Sequence, residues 1–417
     1  MRILLIGSGA REHALARSLA ADPATSALTV APGNPGIAAV ADTVDVQATD
    51  PAAVAALAQQ LDADLVVIGP EAPLVAGVAD AVRAAGIPVF GPDAAAARLE
   101  GSKAFAKEIM AAANVPTAMA RVCRTIDEAD DALDSFGAPH VVKDDGLAAG
   151  KGVVVTEDRK VARDHANGCV SRDRRSRVVV EEYLDGPEIS LFCLSDGTDV
   201  VPLAPAQDFK RLGDGDTGPN TGGMGAYSPL PWAPADLTEQ VVQRVALPTV
   251  RELARRGTPF VGLLYCGLAL TSRGLRVVEF NARFGDPETQ VVLARLESSL
   301  ASALYAAATG QLDTLPDLRW SDDAAVTVVL ASAGYPAGAR KGDSITGVDS
   351  AEALDGVHVL HAGTGTDAGA LVTAGGRVLS VVGRGTGIAG ARAAAYAGVQ
   401  QIAIDGGQYR TDIAAGR

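Results

Sequence analysis

The sequence predicts a multidomain protein of mixed α/β and α+β class that opens with a Rossmann-like parallel sheet. Three observations predict it. At 417 residues the chain exceeds what one hydrophobic core usually supports. Its first hundred residues alternate short apolar runs with Ala-rich stretches of helical period, the pattern of strands joined by crossover helices. Its composition, 48% hydrophobic with 4% aromatic, describes cores of Ala, Val and Leu rather than an aromatic-rich sandwich.

The elements follow in order. Strands are expected at residues 3–6, 28–31, 65–69 and 89–91, with helices at 11–20, 51–60 and 74–85 between them. The strand-end loops Gly7-Ser8-Gly9, Pro32-Gly33-Asn34-Pro35-Gly36 and Gly69-Pro70-Glu71 then gather on one edge, where such sheets bind ligands. A helix over 101–113 is broken by Val115-Pro116. Residues 120–185 read as a small α+β unit, although 160–176 look shortened and irregular. Residues 188–310 read as a larger antiparallel sheet with helices. The Gly/Asp/Pro-rich stretch from Asp208 to Pro231 has no periodicity and is too extended for a connector. Strands return after Pro316, at 324–331 and 378–382, between Gly-rich turns.

Charge and cysteines narrow the function classes. A net charge of -14 and a pI near 4.8 argue against nucleic acid as a partner, because a phosphate backbone rewards a basic face. Anionic ligands therefore need local basic pockets. Cys123, Cys169, Cys193 and Cys266 show no CxxC spacing, so neither a zinc ribbon nor a disulfide framework is expected. The apolar run at 3–6 is too brief for a signal peptide or membrane span, and no later run reaches the length of either. A cytoplasmic protein without membrane contact fits these features.

The stretch from Val141 to Val155 carries the clearest chemistry. It sets Lys143 at a strand end, then a flexible loop with Gly146, Gly150, Lys151 and Gly152, then a second strand. Glycines let backbone amides approach phosphate oxygens, and the two lysines supply the charge that a triphosphate needs. A P-loop is excluded: the spacing from Gly146 to Gly150 is one residue short, Gly152 stands where Ser or Thr is required, and a β-branched run follows where a helix should begin. A nucleotide lid on a hairpin remains.

Three further stretches bear on the same reading. Gly7-Ser8-Gly9-Ala10-Arg11-Glu12 resembles a dinucleotide fingerprint, but Glu12 replaces the third glycine and the second strand ends in Ala31-Pro32 without a ribose-binding acid. It is either a phosphate-accepting loop helped by Arg11 or a plain tight turn. The run from Val179 to Glu188 places acids at a strand end and after a turn, which suits an adenosine site or a solvated surface. Period-two spacing puts Glu279, Asn281 and Arg283 on one strand face. Two oxygen ligands for a divalent cation beside a guanidinium that steadies a transferring phosphoryl group is one reading, and a cross-strand ion pair is the other. The loop from Gln207 to Gly225, with Asp208, Lys210 and Asn220, combines charge, amide and exposed backbone donors and reads as the acceptor side of the site.

Taken in order, these motifs closely resemble the glycinamide ribonucleotide synthetase family of the ATP-grasp superfamily. The resemblance runs from Met1 to about Asp412. The 217–228 block, Thr217-Gly218-Pro219-Asn220-Thr221-Gly222-Gly223-Met224-Gly225-Ala226-Tyr227-Ser228, is close to specific for that family, whereas the lid marks only the superfamily. It implies an N-terminal domain at 1–100 for phosphoribosylamine, an ATP-grasp main lobe at 101–120 and 187–315, a lid lobe at 121–186, and a small α+β C-terminal domain at 316–417. It implies ATP-dependent joining of glycine to 5-phospho-β-D-ribosylamine through a glycyl phosphate, in purine biosynthesis, by a monomer whose partners are small molecules. The alternative is another ATP-grasp carboxylate-amine ligase or a carboxylase.

The resemblance also implies roles. Lys103 and Lys143 would grip ATP phosphates under the loop from Asp145 to Gly152, which holds Gly146, Gly150 and Lys151. Glu181, Leu184 and Glu188 would hold adenosine. Glu279 and Asn281 would bind magnesium or manganese, with Arg283 beside the phosphoryl group. Asp208, Lys210, Asp286 and the turn Asn220-Thr221-Gly222-Gly223 would position glycine and the amine. Gly9, Arg11, Gly69, Pro70 and Glu71 would receive the phosphoribosyl group. Asp144 departs from the small residue that the family more often has there.

Overall fold

The protein is described by a computed structural model that covers residues 1–146, 152–173 and 176–416. The N-terminal sheet has five parallel strands in the order Asp42–Thr43, Ala27–Pro32, Arg2–Gly7, Leu65–Ile68 and Val89–Phe90. The central strand is exposed only at Arg2 and buried from Ile3 to Gly7, because helices cover both faces, as a parallel sheet requires. The two-residue edge strand at Asp42–Thr43 is the one the sequence reading lacked.

The lid lobe is a four-stranded antiparallel sheet, ordered Ala120–Cys123, Val178–Glu181, His140–Asp144, Val153–Thr156. Val141 faces Val155 and Lys143 faces Val153, so the expected lid hairpin is present. The expected irregularity at 160–176 is corrected: Arg159–Val170 is a regular helix, with the Asp158 carboxylate accepting from Lys160 N and Val161 N. It buries Ala162, Ala166 and Cys169, small residues one helical face apart, in an otherwise polar sequence. Those three belong to a compact core private to the lobe, with Leu133, Val142 and Val180 among its members.

The main sheet has four antiparallel strands, Val200–Pro202, Glu188–Asp196, Val261–Thr271 and Gly274–Asn281. The helix expected at 101–113 is present as Lys103–Ala112, and a helix that the sequence did not announce, Ala94–Gly101, precedes it. Ala94–Gly101 stops at Ser102, whose hydroxyl accepts from Phe105 N and starts Lys103–Ala112. The same-strand placement of Arg283 is also corrected, because the strand ends at Asn281 and Arg283 lies in the following bend.

The stretch from Asp208 to Pro231 is not structureless. Gln207–Asp208 and Gly225–Ser228 pair with each other, and the latter pairs with Ala324–Ala331, which continues to Arg377–Gly385 and Val357–His361 in a five-stranded sheet. This stretch is therefore built into the C-terminal sheet. Its register sets Gly225 opposite Val328 and Ser228 opposite Ala325.

Candidate active site

The lid sheet and the main sheet are joined by the connection that carries Leu184 and are bridged at the site by Lys143. Lys143, buried at the end of its strand, donates to Val278 O at 3.0 Å and pairs with Glu181 at 3.0 Å. Lys107, absent from the expected set, pairs with the other Glu181 oxygen at 3.1 Å. Burial alone would raise the Glu181 carboxyl, but Lys143 and Lys107 outweigh it and hold it below the usual range. Burial lowers the Lys107 ammonium. Lys103 donates to Gly146 O at 3.0 Å, and Asp145 accepts from Ser102 Oγ and Ala104 N, tying the lid strand to the start of the Lys103–Ala112 helix. Gly152 O accepts from Asp144 N at 2.8 Å and closes the hairpin stem. Gly150 and Lys151 lie outside the described residues. Asp144, the departure noted above, ion-pairs with Arg172 at 2.6 Å.

The main sheet brings an acidic group together. Ser190 lies opposite Gly267, which lies opposite Glu279; two residues along, Phe192, Tyr265 and Asn281 form the next row on the same face. Gly267 leaves room there, since a Cβ would stand 3.2 Å from Glu279 Cγ and from Tyr265 Cε1. Glu288, buried at the start of the Glu288–Arg295 helix, accepts from Ser190 Oγ at 2.9 Å and from Tyr265 Oη at 2.8 Å through the same oxygen. Lys210 ion-pairs with Glu188. Lys210 pulls the Glu188 carboxyl down. Burial opposes the Lys210 charge, but Glu188 and Asp208 hold its ammonium well above the usual lysine range. Asp208 goes the other way: burial, against the pull of Lys210 and with Glu288, Glu188 and Glu279 nearby, pushes its carboxyl up to about 7.

The N-terminal and C-terminal parts meet this centre through arginines. Arg283 pairs with Glu71 at 3.2 Å and Glu100 at 2.9 Å, and those acids hold its guanidinium above the ordinary value against the effect of burial. Arg11 donates to Phe284 O at 3.0 Å and to Glu12 Oε1 at 2.5 Å, while the other Glu12 oxygen accepts from Gly9 N at 2.6 Å. Glu12 thus fills the crevice between Gly9 and Gly69, and the amide of Gly9 already has an acceptor. Pro70 precedes the short helix Glu71–Val75, which aims Glu71 at Arg283. Asp286 accepts from Gln290 Nε2 at 2.7 Å and pairs with Arg377 at 3.2 Å. Burial opposes its charge, yet Arg377 and Arg11 lower its carboxyl below the usual range. Thr221, Gly222 and Gly223 form the turn beside Arg377, and Asn220 ends the strand Thr217–Asn220 leading into it.

Profiles of phosphoribosylglycinamide synthetase match almost the whole chain: its N domain over 1–100, its ATP-grasp (A) domain over 101–289 and its C domain over 325–416. The chain belongs to the phosphoribosylglycinamide synthetase family. Its relatives include the phosphoribosylamine–glycine ligase of Streptomyces coelicolor, 66% identical over 100% of this chain and 99% of that one. That of Leifsonia xyli is 58% identical with full coverage of both chains. Among solved structures, a phosphoribosylamine–glycine ligase from Thermotoga maritima superposes with a TM-score of 0.86 at 31% identity, covering 99% of this chain and 100% of that one. The biotin carboxylase domain of a Hydrogenobacter thermophilus 2-oxoglutarate carboxylase, at 17% identity, TM-score 0.72 and coverage of 98% and 91%, shares the fold.

Set against this phosphoribosylglycinamide synthetase frame, the expected site residues did not include Lys107, Glu100, Ser190, Tyr265, Glu288 or Arg377. Only Glu288 carried a local signal, since it lies in the conspicuous stretch from Glu279 to Gln290. Glu279 and Asn281 suit a divalent cation: one carboxylate and one amide oxygen project from the same strand face, and neither side chain is engaged in a hydrogen bond or ion pair among the described residues.

Proposed function

We propose that the chain joins glycine to phosphoribosylamine at the expense of ATP. The observation that carries this reading is the end-to-end relationship, at 66% identity, to a phosphoribosylamine–glycine ligase, combined with three separate charge groups in one centre. A carboxylate is a poor electrophile, so the reaction needs two steps. A glycine carboxylate oxygen attacks the γ-phosphorus, the bond to the β-phosphate oxygen breaks and ADP leaves. The amine nitrogen of phosphoribosylamine then attacks the glycyl phosphate carbonyl, the C–O bond breaks, phosphate leaves and the nitrogen loses a proton.

Lys103 and Lys143 serve the ATP phosphates in this scheme, with Gly146 and Gly152 at the loop stem and Gly150 and Lys151 within it. Glu181, Leu184 and Glu188 border the adenosine. Glu279 and Asn281 would hold magnesium or manganese, which when bound neutralises phosphate charge and orients the γ-phosphoryl group. Arg283, released from Glu71 or Glu100, steadies the charge on the transferring group. Lys210 orients the glycine carboxylate, and Asp208, whose carboxyl exchanges a proton near neutrality, takes the proton that the amine loses. Asp286 and the turn from Asn220 to Gly223 face the acceptor, and Gly9, Arg11, Gly69, Pro70 and Glu71 border the phosphoribosyl group. The same reading places a monomer in the cytoplasm, working on small molecules alone.

Heavy-oxygen-labelled glycine tests the scheme. One labelled oxygen should appear in the released phosphate, and only when ATP and the amine are both present. Unlabelled phosphate from labelled glycine would overturn it.

A further inference from the structure

We propose that Arg377 is a positioning residue for the acceptor side of the site, through which the C-terminal region sets where Lys210 and Asp286 stand. The inference rests on the ligase reading above. Arg377 begins the strand Arg377–Gly385, yet its guanidinium serves segments far away in sequence. Nη1 donates to Gly222 O at 2.6 Å and to Asp286 O at 2.8 Å, and Nη2 pairs with the Asp286 carboxylate at 3.2 Å. From the other side, Gly222 N donates to Tyr335 Oη at 3.0 Å. Both main-chain groups of Gly222 are thus held by side chains of the C-terminal region.

The hold passes directly to Lys210. Thr221 donates its N–H and its hydroxyl to Lys210 O, each at 2.8 Å, and Gly223 N donates to Thr221 Oγ1 at 3.0 Å. Displacing Gly222 therefore displaces the main chain that carries Lys210. The turn has little slack, because a Cβ at Gly222 would meet Arg377 Cζ at 2.9 Å and one at Gly223 would meet Pro287 Cδ at 2.4 Å. A planar guanidinium reaches two carbonyls and a carboxylate at once, which a lysine ammonium on its flexible stem does not reproduce.

Arg377→Gln, Arg377→Lys and Tyr335→Phe test the proposal. With Arg377→Gln, KM for glycine or for phosphoribosylamine should rise about tenfold or more while KM for ATP stays within about twofold. Arg377→Lys should recover part of the loss. Tyr335→Phe, which removes one hydroxyl on the opposite side of the turn, should move the same constants in the same direction by less, and it carries the test if Arg377→Gln fails to fold. Amide hydrogen exchange over 208–225 is read in parallel and needs no turnover. It should quicken in Arg377→Gln and Tyr335→Phe. Unchanged exchange and unchanged KM for both acceptor-side substrates would overturn the proposal, as would an equal loss for all three substrates together with a lowered Tm. A wild-type protein that makes no product refutes the ligase reading, whereas the exchange result still decides whether Arg377 holds the turn.

Discussion

Glu181→Gln removes one negative charge from an enclosed ion cluster while leaving side-chain volume nearly unchanged. The Glu181 side chain is 3% exposed, and its partners Lys107 and Lys143 are 11% and 6% exposed. Removing one partner of a buried pair costs about 3–5 kcal/mol, because the remaining charge is left uncompensated. Here both ammoniums keep other acceptors, Lys107 on Thr117 Oγ1 and Ala118 O and Lys143 on Val278 O. The expected loss therefore sits at the low end, about 3 kcal/mol. Burial already lowers the Lys107 ammonium, so in the variant that lysine sheds its proton first. Its folded pKa then lies further below the unfolded value, the unfolded chain binds more protons, and the deficit shrinks as pH rises. The polyphosphate of ATP also returns counter-charge, so saturating Mg-ATP should raise the Tm of the variant more than that of the wild type. Urea unfolding at about pH 7 and about pH 9 measures the first two effects, and thermal melts with and without Mg-ATP measure the third. A loss under about 0.5 kcal/mol, typical of an exposed position, would refute the reasoning.

Other outcomes follow from the same contacts. Glu279→Ala should abolish metal-dependent turnover and leave Tm within about 2 °C of wild type, since the side chain enters no hydrogen bond or ion pair among the described residues; an active variant would refute the metal assignment. Burial, reinforced by His361 and Arg17, lowers His13 to about 3, so its contribution is complete above the unfolded value of about 6.5 and is lost as pH falls toward the folded one. Melting curves against pH should show that acid slope, and His13→Gln should flatten it. Gly69→Ala places a Cβ 2.2 Å from Glu12 Oε1, forcing Glu12 off both Gly9 and Arg11. A stability loss of about 2 kcal/mol is expected, with KM for phosphoribosylamine raised and KM for ATP unchanged.

Where local pattern carried the information, the sequence was readable. The strands Arg2–Gly7 and Leu65–Ile68 announce themselves as apolar runs flanked by helical periods, and Lys143 could be placed at the end of a lid strand because a glycine loop and a β-branched run follow it. Arg159–Val170 escaped because its buried face is only Ala162, Ala166 and Cys169 within a charged sequence. Gly225–Ser228 escaped because its pairing with Ala324–Ala331 spans about a hundred residues, and no local period encodes such a partner. The site divides in the same way. Glu181, Lys103 and Asp286 stand in recognisable stretches, but that Glu181 answers two lysines, or that Arg377 reaches back to Gly222, is visible only once distant strands are brought together. Arg283 shows the limit of periodicity: its spacing from Glu279 and Asn281 is correct for a strand face, but the strand has ended before it.

The central claim is tested most directly by ADP release from the purified chain with Mg-ATP, given glycine alone, phosphoribosylamine generated in situ alone, or both, with mass detection of the product. Release that requires both substrates and yields glycinamide ribonucleotide is the predicted result. Release indifferent to glycine, or none with both substrates present, would contradict it.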